Sequence, residues 1–291
     1  MADKLQPFYF DALPVRGAIV RLSSSLDALL DGRGYPEPIR YLLGESAAAA
    51  CLIANSMKYP GRLTLQISSG GPLRMLAMQC RDTLDLRGMA LLADAEDTDW
   101  DQFNFAGLTQ SARCSVTIAS NNVRERYQGI VEVSGTSLAV SLDNFFARSI
   151  QVPTRFWLQS DGREAVGVVL QTVAGHDDFV ASDDWHRLGL VTDTLSLAEA
   201  VHVGRIGMVR RLYAEDDLRL PDSRNVRFHC DCSRDRASNA IARLGEDDAN
   251  NAVAEQGELT VTCEYCGTER RFSPVDVAAI FSTLPISSKT H

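Results

Sequence analysis

Apolar and polar residues alternate along several short stretches of the first 175 residues, and this period of two is typical of half-buried β-strands. Turn signals bound some of these stretches, among them Ser69-Gly-Gly-Pro72 and Asp161-Gly162. The predicted strands are Gly17–Ser23, Leu63–Ser69, Leu73–Cys80, Arg113–Ala119, Tyr127–Val133, Arg155–Gln159 and Val166–Thr172.

Two longer stretches in the same region carry helical patterns. Gly44–Met57 is rich in alanine, and Ser137–Ile150 repeats apolar residues at helical spacing. Strands and helices do not alternate regularly along the chain. The sequence therefore predicts an α+β fold rather than a doubly wound sheet.

The pattern changes after residue 175. Segments around Trp185–Leu195 and Leu197–Tyr213 read as helices with few strand signals, and glycines interrupt them. We predict a large N-terminal mixed sheet and helix domain (1–175), a helical linker (176–224) and a small C-terminal cysteine module (225–291). The module has helical patterns at Ala237–Leu244 and Asp248–Ala254, and Ser287–His291 reads as a frayed tail.

Charge and composition narrow the function classes. The net charge of −9 offers no basic footprint for nucleic acid. No apolar run approaches the roughly 20 residues of a membrane span, and the N-terminus shows no secretory leader, which favours a cytoplasmic protein. In a reducing cytosol, clustered cysteines more often bind metal or do redox work than form structural disulfides.

Four of the seven cysteines form two close pairs near the C-terminus. Cys230 and Cys232 make a C-x-C, and Cys263 and Cys266 make a C-x-x-C followed by Gly267. Close thiolate pairs of this kind suit one tetrahedral Zn²⁺, and glycine suits the turn after a zinc knuckle. Such a site would dominate the stability of a small module, because zinc contributes on the order of 10–16 kcal/mol and a core of this size only ~3–5 kcal/mol.

The same thiols can also react. Oxidants convert thiolates to sulfenic acids, which a neighbouring thiol turns into a disulfide; here Cys230 can pair with Cys232, and Cys263 with Cys266. A C-x-C disulfide closes a small strained ring and should be readily reduced. From the chemistry of the residues alone, two interpretations stay open: a structural zinc site and a redox switch. The structural site is favoured.

Other interpretations of the cysteines fit less well. A zinc deaminase needs H-x-E and P-C-x-x-C, whereas Thr262 precedes Cys263 here. A thioredoxin-like C-x-x-C should lie near the start of a βαβ unit. Cys51, Cys80 and Cys114 lie in apolar stretches and are predicted to be core residues.

No nucleophile with a matching base is visible in the sequence, so we predict no enzyme activity. Ser69–Pro72 lacks the lysine and following helix of a phosphate loop and is predicted to be a hairpin turn. His229 adjoins the first cysteine pair and is interpreted as a flanking surface residue.

Blocks of sequence in both halves resemble the heat shock protein 33 family of bacterial chaperones. The cysteine module carries the resemblance at Val226–Ser233 and Leu259–Gly267. The N-terminal blocks are Leu43–Ala50, Tyr59–Gln66, Tyr127–Val131 and Gln151–Arg155, so the resemblance covers nearly the whole chain.

The resemblance implies an ATP-independent holdase that keeps unfolding client proteins from aggregating under oxidative stress. It implies one zinc ion held by Cys230, Cys232, Cys263 and Cys266 in an inactive reduced form. Oxidation would form the Cys230–Cys232 and Cys263–Cys266 disulfides, release zinc, unfold the module and linker, and favour a homodimer. The rival hypothesis is a zinc-ribbon interaction or regulatory protein whose metal is purely structural.

Overall fold

The computed structural model describes residues 3–57, 60–93, 99–120, 126–133 and 135–283. The chain separates into two compact units, Met1–His229 and Cys230–His291. The predicted linker segment 176–224 belongs to the first unit, and the predicted tail Ser287–His291 lies outside the described residues. The three-part division into core, linker and cysteine module stays a prediction.

The first unit contains most of the regular structure. Its strands are β1 (Lys4–Phe10), β2 (Val15–Leu22), β3 (Gly61–Ser68), β4 (Leu73–Arg81), β5 (Asp85–Leu92), β6 (Arg113–Ser120), β7 (Arg126–Glu132), β8 (Thr154–Ser160), β9 (Ala165–Thr172), β10 (Leu218–Arg219), β11 (Arg224–Asn225) and β12 (Arg227–Phe228). Its helices are α1 (Ser24–Leu30), α2 (Glu37–Asn55), α3 (Phe105–Leu108), α4 (Leu138–Phe145), α5 (Asp183–Thr192) and α6 (Leu197–Leu212). Short 3₁₀ helices lie at Trp100–Gln102 and Asp177–Ala181, and a π-helical turn at Phe146–Ile150.

These strands form two sheets. The first sheet has the order β10-β1-β2-β9-β8, with β11 also pairing with β1, and the second has the order β12-β5-β4-β3-β6-β7. All the pairings are antiparallel except that of β12 with β5. The α+β prediction is confirmed, and each of the predicted strands is found within three residues of its predicted bounds.

Helix α2 lies at the centre of the larger core of this unit. Its residues from Ala47 to Ala54 are at most 3% exposed, because small alanines let the helix pack closely against the strands. The predicted helix started at Gly44, but α2 begins at Glu37, directly after Pro36. A proline that precedes or opens the first turn is compatible with a helix start.

The second unit is built from two helices, a hairpin and a third helix. In chain order these are α7 (Arg234–Leu244), α8 (Glu246–Gln256), β13 (Leu259–Thr262), β14 (Glu269–Phe272) and α9 (Pro274–Thr283). The two predicted helices of the module correspond to α7 and α8. Among the described residues its buried apolar cluster contains Ala237, Ile241, Ala249, Val253, Phe272 and Val277.

Candidate metal centre

The first cysteine pair is held at the start of α7. Ser233 caps this helix, since its hydroxyl oxygen accepts a hydrogen bond from the Arg236 backbone N–H at 3.2 Å. Asp231, between the two cysteines, forms a two-pronged ion pair with the Arg236 guanidinium, at 2.7 and 3.1 Å. These contacts fix the C-x-C segment directly before the first turn of the helix.

The second pair lies in the turn that joins β13 to β14. The Cys263 N–H donates to the Thr268 carbonyl at 3.0 Å, and the N–H of Gly267 donates back to the Cys263 carbonyl at 2.8 Å. Gly267 has φ +68°, in the left-handed region that a side chain would disfavour. The tight turn aims both sulfurs of the C-x-x-C to one side.

The fold brings the four sulfurs together. All four Sγ atoms lie within 4.8 Å of one another, and each cysteine is half-buried. Cys230 Sγ is 3.7 Å from Cys263 Sγ, and Cys232 Sγ is 3.5 Å from Cys266 Sγ. Four ligands at the usual Zn–S distance of about 2.3 Å around a tetrahedral ion would stand about 3.8 Å apart. The cluster can hold a metal ion, and its donor set and spacing are compatible with zinc.

The surroundings shift the pKa values of two of the cysteine thiols in opposite directions. Burial raises the pKa of Cys232 above its usual value. Burial would also raise the pKa of Cys266, but hydrogen bonds from the Thr268 hydroxyl and backbone, together with those to the neighbouring cysteines, lower it to about 6. A thiol with this pKa is largely the thiolate at neutral pH, which is the form that binds metals and reacts with oxidants.

An arginine that the sequence did not single out completes the site. Arg270 on β14 donates to the Cys232 carbonyl at 3.2 Å, and its guanidinium lies 3.9 Å from Cys232 Sγ. A cation here favours the charged form of the sulfurs. Only the hairpin register, in which Thr262 faces Glu269, places Arg270 beside the first cysteine pair, so spacing alone gave no signal for it.

The remaining cysteines lie in the core of the first unit, as predicted. Cys51, Cys80 and Cys114 are each 0% exposed. Burial raises the pKa of Cys114 to about 12, and a hydrogen bond with Cys80 together with burial raises that of Cys51 well above its usual value. His229 ends the first unit, where its N–H donates to the Leu86 carbonyl at 2.9 Å.

The first unit contains a second apolar cluster, formed between the first sheet and helices α5 and α6. The first sheet is buried on both faces: Ala18, Val20 and Leu22 of β2 face the core around α2, whereas Val15 and Ile19 face the opposite way. Helices α5 and α6 cover that opposite face. The buried members of the second cluster are Phe8, Phe10, Val15, Ile19, Val166, Val168, Leu170, Trp185, Leu188, Leu195, Ala200, Met208, Val209, Leu212 and Tyr213.

Polar contacts fasten α5 and α6 over this face. Arg187 forms a two-pronged ion pair with Asp216, at 2.7 and 3.0 Å. Gln159 of β8 donates to the Leu195 carbonyl and accepts from the Leu197 N–H, at 2.8 and 2.7 Å. Helix α6 is broken at Gly204, which has φ +72°. The covering layer is therefore held at the α5–α6 junction and through Asp216 after α6, and α6 itself is interrupted at Gly204.

Within the described ranges, none of the helices combines the length and the apolar character needed to cross a bilayer.

Comparison with known proteins places these features in one family. The family profile described as Hsp33 protein matches residues 3–273. A protein named 33 kDa chaperonin from Ectopseudomonas mendocina is 37% identical over 286 residues, which cover 97% of this chain and 96% of that protein. A 33 kDa chaperonin from Methylobacillus flagellatus is 33% identical over 284 residues, covering 97% and 96%.

A solved structure has the same fold. The crystal structure of the 33 kDa chaperonin from Thermotoga maritima superposes with a TM-score of 0.81 and 20% identity, covering 96% of this chain and 98% of that one. Together the matches define a chaperone class rather than an enzyme class. The chain belongs to the Hsp33 family, so the family predicted from the sequence blocks is confirmed.

Proposed function

We propose that this protein is a redox-regulated, ATP-independent holdase chaperone of the bacterial cytoplasm. Its reduced form would hold one Zn²⁺ through Cys230, Cys232, Cys263 and Cys266 and bind clients poorly. Its oxidised form would bind unfolding proteins and associate as a homodimer. The observation that carries the proposal is the cluster of four thiols within 4.8 Å of one another, in a unit with a small apolar core.

The stability of the second unit supports a switch at this position. When bound, zinc would cross-link the start of α7 to the β13–β14 turn through four thiolates. The unit's own buried cluster is small, and a core of this size supplies only ~3–5 kcal/mol. Chemistry that consumes the thiolates would therefore remove most of what keeps the unit folded.

The thiols can be consumed by a two-electron oxidant such as a peroxide. One thiol attacks the peroxide and becomes a sulfenic acid with release of water, and its neighbour then displaces a second water to form the S–S bond. The contacts at 3.7 and 3.5 Å join Cys230 to Cys263 and Cys232 to Cys266, but all four sulfurs lie within 4.8 Å. The Sγ distances alone therefore do not determine which cysteines form disulfides. The short stretches of chain within each pair favour Cys230–Cys232 and Cys263–Cys266.

The second apolar cluster suggests what activation would expose. The chain between α6 and the first cysteine pair is held to the sheets by β10, β11 and β12, each of two residues. Unfolding that spreads into α5 and α6 would uncover a sheet face that includes Phe8, Phe10, Ile19 and Val168. An apolar surface of this kind binds other apolar surface, and the net charge of −9 would help to keep a loaded complex dissolved.

Binding without ATP is part of the proposal. Ser69–Pro72, the segment weighed as a phosphate loop, connects antiparallel β3 and β4 as a hairpin turn. The proposed cycle is driven by thiol oxidation and reduction, which need no nucleotide.

The test compares reduced and oxidised protein in two assays. A chromogenic chelator measures released zinc, and light scattering measures aggregation of a thermally unfolding client. We expect oxidised wild type to release about one zinc per chain and to suppress aggregation, whereas reduced protein does neither. Cys263→Ser should hold zinc weakly, and Cys114→Ser is the matched control because Cys114 is buried in the other unit.

Equal aggregation suppression by the two forms would remove the switch from the proposal. Zinc that stays bound after complete thiol oxidation would instead favour the rival, a purely structural metal. Peptide mapping of the oxidised protein separately tests the proposed disulfide partners.

A further inference from the structure

A cavity of about 70 Å³ lies between the first sheet and the C-terminal end of α2. Its inner wall is apolar and contains Leu52, Ile53, Phe146, Phe156 and Val169. Leu52, Ile53 and Phe156 are at most 4% exposed. The wall is therefore part of the folded core, and neither the metal centre nor the face under α5 and α6 uses it.

A row of polar side chains crosses the sheet at one edge of this cavity. Arg16, Gln171 and Thr154 are direct neighbours on β2, β9 and β8, and Tyr9 on β1 pairs with Arg16. All four line the cavity. Gln171 and Thr154 are only 8% and 6% exposed. Buried polar groups are costly unless they are hydrogen-bonded, so Gln171 and Thr154 need internal partners, whereas Arg16 and Tyr9 are exposed.

A chain of hydrogen bonds supplies those partners. The Thr154 hydroxyl donates to the Val152 carbonyl and accepts from Gln171 Nε2, both at 2.9 Å. The Gln171 carboxamide oxygen in turn accepts from Arg16 Nε at 3.0 Å and from Arg16 Nη2. The guanidinium is thus held in a fixed orientation at the cavity by a neutral group.

Arg16 keeps its charge unmatched. No acidic side chain pairs with it in the part of the chain that the structure describes, and its Nη1 has no hydrogen-bond partner there. Other arginines of this unit, such as Arg21 and Arg187, do form ion pairs with carboxylates. A guanidinium that is oriented but unpaired is suited to a carboxylate, which it binds through charge-assisted hydrogen bonds.

We propose that this cavity binds a small amphiphilic carboxylate, with its head group on Arg16 and its unbranched aliphatic tail against Leu52, Phe156 and Val169. A water-sized group needs at least 10–15 Å³, so the cavity has room for roughly five to seven such groups. That matches the tail of a short- to medium-chain fatty acid. The free C-terminus of a polypeptide that ends in an apolar residue offers the same chemistry from a second source.

The test uses reduced full-length protein, so it does not depend on the proposed redox cycle. Hexanoate, hexylamine and 1-hexanol are titrated by calorimetry and by backbone amide NMR. We expect hexanoate to bind more tightly than the other two by roughly ten- to a hundredfold, the value of a charge-assisted hydrogen bond. Amide shifts should centre on Gly17, Phe156 and Gln171. From butanoate to hexanoate the affinity should rise up to about fourfold per methylene, and then level off when the tail outgrows the cavity.

Variants separate the head-group contact from general charge. Arg16→Gln should lose the preference for hexanoate over hexanol, and Arg16→Lys should keep only part of it. Arg113→Gln removes the same charge from an exposed position on β6 and should bind hexanoate as the wild type does. A peptide ending in Leu with a free carboxylate, compared with its C-terminal amide, identifies which source of the carboxylate is preferred.

Equal binding of hexanoate and hexylamine, or amide shifts away from the cavity, would overturn the proposal. So would wild-type affinity in a folded Arg16→Gln protein. Because the shift map is measured on the wild type, it decides the question even if Arg16→Gln fails to fold.

Discussion

The two units of this protein reach a stable fold by different means. The first unit buries two apolar clusters on the faces of its sheets, and α2 passes through the larger one. Among its described residues the second unit buries only a short set of aliphatic side chains and one aromatic ring, Phe272, but it brings four thiols within 4.8 Å of one another. Apolar burial changes little with redox conditions, whereas thiolate chemistry changes completely. On the proposed function, the first unit is the part whose fold does not depend on the thiols, and the second is the part whose folding would respond to oxidants.

Removing zinc from reduced, zinc-loaded protein should produce the largest difference in stability between the two units. Structural zinc contributes on the order of 10–16 kcal/mol, more than a small core can replace, so a tight chelator should unfold the second unit. Hydrogen exchange of the α7 and α8 amides should lose its protection. Tryptophan fluorescence reports on the first unit, because Trp100, Trp157 and Trp185 all lie there. It should change only if unfolding spreads into α5 and α6, since Trp157 and Trp185 pack in the cluster under those helices.

The comparison fails if α7 and α8 stay protected in reduced, metal-free protein. Their packing on Phe272 and Val277 would then be sufficient by itself. Restoring zinc should restore protection, which excludes irreversible damage by the chelator.

A pair of leucines on α5 tests the covering layer of the first unit. Leu188 is 0% exposed and packs in the second apolar cluster, whereas Leu190 on the same helix is 55% exposed. Leu188→Ala should cost about 2–5 kcal/mol of unfolding free energy, and Leu190→Ala less than about 0.5 kcal/mol. Urea unfolding followed by tryptophan fluorescence measures both, because Trp185 lies in the same cluster.

The same pair connects stability to the proposed function. If α5 and α6 conceal the client-binding face, reduced Leu188→Ala should suppress client aggregation partly without an oxidant, and reduced Leu190→Ala should not. A destabilised Leu188→Ala protein that stays inactive until oxidised would place the client surface elsewhere.

What the sequence could predict depended on how local the signal was. Strand β3 alternates buried and less buried residues from Gly61 to Ser68, and its hairpin turn at Ser69–Pro72 is visible in the sequence. Strands β1 and β5 were missed. Pro7 interrupts β1, and Gly88 lies inside β5, where a Cβ would come within 2.5 Å of the Met78 side chain.

The same distinction applies to the sites. The cysteine cluster could be predicted because each ligand pair is contiguous and the turn after the second pair requires Gly267. Arg270 could not, since the hairpin register places it. The row formed by Arg16, Gln171 and Thr154 joins positions up to 155 residues apart, and only the strand order β2-β9-β8 makes them neighbours.

The smallest expected effect is the pH dependence of the unfolding free energy of the first unit. Glu45 lies on α2, and burial raises its pKa to about 7 from 4.5. The folded unit therefore binds this proton more tightly than the unfolded chain does, so its unfolding free energy should fall as the pH rises from about 4.5 to about 7. The loss is on the order of 3 kcal/mol. Glu45→Gln should remove this part of the slope and be the more stable protein at pH 8, as measured by urea unfolding with tryptophan fluorescence.

Asp143, whose pKa burial also raises to about 7, adds a slope of the same sign, so the Glu45→Gln protein should keep part of the pH dependence. The control variant is Glu37→Gln, which removes a carboxyl group at the exposed start of the same helix. If Glu45→Gln and wild type show the same slope of unfolding free energy against pH, the Glu45 carboxylate is ionised and hydrated in the folded protein. The expected difference would mean that the first unit tolerates the cost of a partly buried acid on α2 and still folds. The second unit has no such reserve, and a penalty of the same size would consume most of the ~3–5 kcal/mol that its core supplies.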